Sequence, residues 1–344
     1  MAQPQAKKQK TNNAPIVFTL RKAKPDVRFF VFDQEYHVYS AVLKVGSEFF
    51  QKYLEPSGGI APTSTSPLFR SDWYTDVEDD GSWHLSSDVS IRQKDASRFK
   101  GDKEREQKAF NNLLCVIFSR EYQITDAAEL NSMTEQADYY RALPVMSNTL
   151  GSAFLNSPGL LSTIGHDPCA VLVSAYKLRH KMLFREALIL SLGPWSEPRY
   201  ENELKNFPLL HNVAGFAYMR HNAKVQELWS DLLQLATNKL NSAKGVLYGG
   251  SALASSVFAG AEANVDSSNK VMLPSLLRST FDAANMNDYY RTNDAFTELL
   301  SPFLKSNLVL NKAAQAGKDN FKAYFLCFEI QDEELPWDLN QVDW

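Results

Sequence analysis

Asp76-Val77-Glu78-Asp79-Asp80-Gly81 opens like a calcium-binding loop, with carboxylates at alternate positions and a glycine at the sixth. Such a loop needs a bidentate glutamate at its twelfth position, where Ser87 stands, and Glu78 occupies the third in place of Asp or Asn. Strand-like sequence flanks the run on both sides, so it reads as a charged hairpin turn in which Gly81 supplies the positive φ. The six histidines, at 37, 84, 166, 180, 211 and 221, include no i, i+4 pair and none at zinc spacing from a cysteine. They read as surface or hydrogen-bonded core residues. Ser242-Ala243-Lys244 and Gly249-Gly250-Ser251 match neither a Gly-x-Ser-x-Gly elbow nor a Ser-x-x-Lys motif, so neither presents an activated hydroxyl. No glycine-rich phosphate cradle occurs, and Glu333-Glu334 lies in a polar stretch where nothing would tune a carboxyl for acid–base work. The expectation is a chain with no catalytic residue, no metal ligand and no cofactor.

The elements that would position any site begin at residue 26. Val27, Phe29 and Val31 alternate with Arg28, Phe30 and Phe32, which predicts a strand apolar on both faces and central in a sheet. Asp33-Gln34 separates it from Tyr36-His37-Val38-Tyr39 at hairpin spacing. Ser40 stands where a helix N-cap would be. After it Val42, Val45, Phe49, Phe50 and Tyr53 fall at helical spacing, with Leu43 and Leu54 widening the stripe. Glu55-Pro56-Ser57-Gly58-Gly59 ends that helix. Phe110, Leu113, Leu114, Ile117 and Phe118 predict a second amphipathic helix. Asp126 caps a third carrying Leu130, Met133, Ala137 and Tyr140.

These blocks resemble a BTB/POZ domain. The family opens its first strand with Asp and continues with an aromatic, a hydrophobic and a His, then a helix with Val-Leu and Ser-x-Tyr/Phe-Phe. Here those places fall on Asp26, Tyr36, Val38, Tyr39, Val42-Leu43 and Ser47-Glu48-Phe49-Phe50. Tyr39 replaces the His, and His37, two residues early, faces the other side of the strand. Phe118-Ser119-Arg120-Glu121-Tyr122 resembles the family's Tyr-Thr-Gly-Glu-Tyr with Arg120 in place of Gly, and Ala137-Asp138-Tyr139-Tyr140 matches its Ala-Asp-x-Tyr. The core signature is therefore Asp26, Tyr36, Val38, Tyr39, Leu43, Ser47, Phe50, Phe110, Leu114, Tyr122, Ala137 and Tyr140. The resemblance, closest in style to the extended BTB proteins of filamentous fungi, implies an α+β fold and an interaction module that does no chemistry.

The organisation expected is a flexible tail over 1–15 and a BTB-like domain over 16–150, with insertions at 55–82 and 91–108. A mainly α-helical domain over 160–330 and an acidic, aromatic tail over 331–344 follow. Lys7-Lys8-Gln9-Lys10 reads as a solvated basic tail. Residues 91–108 carry seven basic and four acidic side chains and read as a solvated loop or exposed helix. Asp167 at the cap and Pro168 at the first helical position start a helix that runs to His180. Another spans Leu183–Leu192 and stops at Gly193-Pro194. Asn222 is expected to cap a helix carrying Val225, Leu228, Trp229, Leu232, Ala236 and Leu240. Residues 245–270 read as either a mobile loop or a loosely packed connection, and two further helices span Leu273–Ala284 and Asp294–Lys305.

A net charge of −4 argues against a nucleic-acid partner. No run approaches the roughly eighteen apolar residues of a membrane span. The first ten residues have no apolar signal core, and Cys115, Cys169 and Cys327 sit in apolar runs, which points to the reducing cytoplasm or nucleus. Protein partners are expected. Tyr53, Glu55, Trp337 and Trp344 are the candidate contacts; the last two lie in a stretch, Gln331–Trp344, with five acidic residues and no basic one. That stretch reads either as a docking motif with aromatic anchors or, the favoured reading, as a tail packing its tryptophans onto its own domain. Cullin-3 is a partner the resemblance implies, yet the family's hydrophobic-x-Glu contact would fall on Gly58-Gly59-Ile60, and Tyr53-Leu54-Glu55 comes too early. Pro15–Leu20 reads either as a strand exchanged in a homodimer or as an edge strand of its own subunit. The rival from another class is an enzyme with a site in 160–330.

Overall fold

Val27, Phe29 and Val31 drive the central strand of a five-stranded mixed sheet. The computed structural model describes residues 13–54, 64, 66–88, 90–91, 96–242, 260–286, 293–341 and 344. Glu55, Gly58-Gly59-Ile60, the tail over 1–12 with its lysines, Ser242-Ala243-Lys244 beyond its first residue, and 245–259 lie outside the described residues. The chain divides into two units, 1–160 with 341–344, and 161–340.

In the first unit β1 (Ile16–Val17), β2 (Val27–Val31), β3 (Gln34–Val38), β4 (Ser71–Val77) and β5 (Trp83–Ser86) lie in the order β1-β3-β2-β4-β5. β2 is antiparallel to β3 and parallel to β4, and β4 and β5 form the hairpin that turns at Gly81, φ 90°. The hairpin expected as part of an insertion thus supplies β4, the direct neighbour of the central strand. β1 pairs in parallel with β3 of the same chain, so the edge-strand alternative describes residues 16–17. Gln34 Nε2 also donates to the Ala14 carbonyl at 3.1 Å, which ties residue 14 to the sheet.

One sheet face, carrying Val27, Phe29, Val31, Tyr36, Val38, Trp73 and Leu85, is buried. The other is only half-covered. On it Arg28 makes a bidentate pair with buried Asp72 at 2.8 and 2.9 Å, and Phe30 stacks on Tyr74 at 4.9 Å. β2 is central, as expected, but it is not apolar on both faces.

Three local expectations need correction. The β2–β3 turn falls on Phe32-Asp33 rather than Asp33-Gln34. Phe32 holds φ 52° because its buried ring packs on Trp83 and Phe99, at 5.1 and 5.0 Å, and its N–H donates to Thr75 Oγ1 at 2.7 Å. The helix expected after β3 is two helices, α1 (Ser40–Gly46) and α2 (Glu48–Leu54), with Val45 exposed. A Cβ on Gly46 would lie 2.8 Å from Ile117, so close packing on that residue demands glycine where the chain breaks. Ser40 is the first helical residue, and Tyr39 holds the cap position.

Residues 103–108, read as part of a solvated excursion, open α3 (Lys103–Ile117), whose cap is Asp102. α4 (Ala127–Tyr139) starts at Asp126 as expected, its carboxylate accepting the Glu129 N–H at 2.8 Å, and α5 spans Leu143–Leu155. α6 (Pro158–Thr163) carries the chain out of the first unit.

The second unit is mainly helical. Asp167 caps α7 (Pro168–Lys177) and His180 caps α8 (Lys181–Ser191), its Nδ1 accepting the Leu183 N–H at 3.2 Å. After α9 (Tyr200–Glu203) comes α10 (Pro208–Ser242), a 35-residue helix that contains Asn222 in its interior. Asn222 therefore caps nothing: Pro208, suited to a first helical position, starts the helix. α11 (Leu273–Met286) and α12 (Asn293–Leu304) match expectation to within two residues, and the described residues 305–340 follow without further α-helix.

Candidate functional site

The signature residues of the first unit come together, but as a core and not as a reactive cluster. Asp26 accepts the Ser40 N–H at 2.7 Å and the Ser40 hydroxyl at 2.6 Å, so it satisfies the first turn of α1 from the start of the neighbouring strand. Tyr36, Val38, Tyr39, Leu43, Ser47, Phe50, Phe110, Leu114, Tyr122, Ala137 and Tyr140 are all buried. Phe50 stacks on Tyr140 at 5.3 Å and on Phe29 at 5.3 Å, and Phe110 meets Phe29, Tyr36 and Tyr140 edge-on. Burial raises the phenols of Tyr36 and Tyr140, and raises that of Tyr122 to about 12 against its hydrogen bond with Thr149. All three stay neutral hydrogen-bonding groups. Tyr39, at the family's His position, makes its own contacts: its hydroxyl donates to the Ala23 carbonyl at 3.2 Å and accepts the Leu20 N–H at 3.1 Å.

Two departures from the resemblance resolve in the same way. The left-handed residue after α3 is Ser119, φ 52°, not Arg120, and the Arg120 N–H closes onto the Cys115 carbonyl at 2.8 Å. Arginine at 120 is thus unstrained, and its guanidinium lies over the Phe18 ring at 4.6 Å while donating to the Thr19 carbonyl at 3.1 Å. With Tyr39, it fastens residues 18–23 to the unit.

A groove of about 690 Å³ runs between α2 and the end of α4. Buried Ser47 lies behind one wall: its hydroxyl accepts the Phe50 N–H at 3.1 Å, starting α2, and donates to the Tyr140 carbonyl at 2.5 Å. Arg141, φ 52°, and the Ala142 N–H on the Ala137 carbonyl at 2.7 Å close α4 opposite it. Phe49 lies between Tyr53, at 4.7 Å, and Tyr139, at 5.6 Å. Both tyrosines remain about half exposed, at 50% and 48%. Glu48, Glu135 and Asp138 line the groove together with Lys52 and Arg141. Burial and the Glu78 carboxylate raise the Tyr139 phenol, so it is a hydrogen-bonding group over the physiological range. Such a surface, two amphipathic rings on a fixed base with charges of both signs at the edge, suits a protein partner. Tyr53 lies here within α2, and Glu55 lies outside the described residues.

The calcium-like run folds as the hairpin turn, where Asp80 Oδ1 accepts the Ser82 N–H at 2.8 Å. No cluster of three His, Cys, Asp or Glu side chains suited to a metal occurs among the described residues.

In the second unit two buried ionisable sites stand out among the described residues. Glu186, buried on α8, accepts the N–H groups of Val309, Leu310 and Asn311 at 2.8, 3.2 and 3.0 Å. Burial raises its carboxyl and these three bonds oppose that rise. His221 and Cys327, 106 residues apart, lie with Nε2 and Sγ at 3.9 Å, a pairing no spacing rule reveals. Desolvation raises the thiol to about 12 and lowers the imidazole to about 4, the reverse of what a thiolate–imidazolium nucleophile requires. Trp195, Phe303, Phe325 and Phe328 surround the imidazole, which is a neutral core residue. The three cysteines are unpaired with one another. Trp337 packs edge-on against Phe184 at 5.0 Å, and Trp344, partly exposed, groups with the first unit. Among the described residues no helix is long and apolar enough to cross a membrane.

No family model, curated protein or solved structure matches this chain.

Proposed function

We propose that this chain is a non-catalytic protein–protein interaction protein, an intracellular adaptor whose first unit is a BTB-type domain and whose α2–α4 groove receives the partner. One observation carries this reading: Phe49 holds Tyr53 and Tyr139 together, each half-exposed, beside the buried rings of Phe50 and Tyr140. Half-exposed tyrosines on rigid helices bury large area at small entropic cost when a partner covers them. The experiment is quantitative affinity purification of the full chain against Tyr53→Ala/Tyr139→Ala. Proteins enriched by the wild type and lost with the double variant support the reading.

A second, narrower reading makes the partner cullin-3. It rests on the resemblance alone, since Tyr53 lies within α2 and not in the loop where the family's contact would fall. Purified cullin-3 N-terminal domain should then bind the full chain at micromolar concentration, and no binding there ends it.

A further inference from the structure

The acidic stretch after residue 330 is seated on a cationic, aromatic surface of the second unit. Asp332 bridges Lys181 at 3.0 Å and Arg185 at 2.6 Å, both on α8. Glu334 pairs with Arg220 of α10, whose other nitrogen donates to the Glu329 carbonyl at 2.8 Å. Five residues after Asp332, Trp337 sets its ring edge-on to Phe184 at 5.0 Å and beside Tyr176 at 6.3 Å. The segment itself is one 3-10 turn, Asp332–Glu334, closed by a reciprocal Gln331–Glu334 capping box.

Leu335 of the segment is buried, while two features fit the surface around it to an exchangeable occupant. Its ion pairs are solvent-accessible, with Lys181, Arg185 and Arg220 side chains 45%, 36% and 44% exposed, so each contributes little and breaks readily. The fit is also incomplete. Arg185 Nε is buried and has no acceptor among the described residues, because Asp332 engages the guanidinium by one nitrogen only and gives its second oxygen to Lys181. A carboxylate meeting Nε and Nη2 together would be the stronger ligand. Beside this residue a cleft of about 590 Å³ opens between α8 and residues 305–331.

We propose that α7, α8 and Arg220 form a docking surface for acidic peptides that carry a tryptophan five residues after the first acid, and that residues 331–337 occupy it in cis. A partner with that pattern displaces the chain's own segment.

The test uses a fluorescein-labelled peptide of residues 329–340 and the full chain, read by fluorescence anisotropy. The variant Asp332→Ala/Glu334→Ala/Trp337→Ala, which loosens the resident segment, should bind the peptide at least tenfold more tightly than wild type. Adding Lys181→Glu and Arg185→Glu should abolish that binding. Equal affinity for wild type and triple variant, or binding that survives the charge reversal, overturns the proposal. Should the triple variant fail to fold, hydrogen exchange of the wild type decides: saturating unlabelled peptide should deprotect residues 331–340, and unchanged exchange there overturns the proposal.

Discussion

Asp26 accepts both the backbone N–H and the hydroxyl of Ser40, at 2.7 and 2.6 Å, and so joins the entry of the central strand to the start of α1. The same residue accepts the Arg70 N–H through its carbonyl at 2.6 Å and donates its own N–H to the Val38 carbonyl at 3.1 Å. Strand, following strand, helix and the approach to β4 thus meet at one aspartate. Asp26→Ala should lower stability by about 2–3 kcal/mol, since two charge-assisted bonds go and the Ser40 donors lose their acceptor. Native-state hydrogen exchange checks this, with protection loss centred on residues 26–46.

Tyr39 makes a separable prediction. Its hydroxyl is the shared partner of Leu20 and Ala23, while its ring packs in the core. Tyr39→Phe keeps the ring and removes the hydroxyl, so it should cost about 1 kcal/mol globally. Amide exchange over residues 16–23 should accelerate by more than exchange in β2 and α3.

These two residues also show what was legible in the sequence. The alternation at 27–31, the Gly81 turn and the caps at Asp126 and Asp167 are local chemistry, and each element stands where its residues predict. The break at Ser47 was not legible, because Phe49, Phe50 and Tyr53 keep helical spacing while a hydroxyl restarts the helix just before them. Asn222 failed for the opposite reason: a good capping residue does nothing where the helix already runs through it. Of the groove, only Tyr53 stood out as a candidate contact. Tyr139 falls on the unspecified position of Ala-Asp-x-Tyr and carries no signal of its own, because its exposure depends on α2 and α4 meeting. His221 beside Cys327, like Glu186 under residues 309–311, is tertiary and leaves no trace in spacing.

His221 sets a pH window. Burial first, then Lys224 and Arg220, lower its pKa to about 4, against about 6.5 in an unfolded chain. Between those values the unfolded state binds a proton that the folded state refuses. This contribution to stability is therefore complete above about pH 6.5 and is lost as pH falls to about 4, amounting to about 3 kcal/mol. His221→Phe keeps an aromatic in the cage and has no proton to bind. Its stability profile over that window, measured by urea denaturation at successive pH values, should be flatter than the wild type's by that amount.

The groove carries the functional claim, and photo-crosslinking tests it most directly. A benzophenone amino acid placed at position 53 or 139 of the full chain, and at exposed Leu155 as control, reports which surface a partner covers in the cells the protein comes from. The account predicts the same discrete protein adducts from 53 and 139 and none of them from 155. Adducts of equal kind and yield at all three positions, or none at 53 and 139, would contradict it.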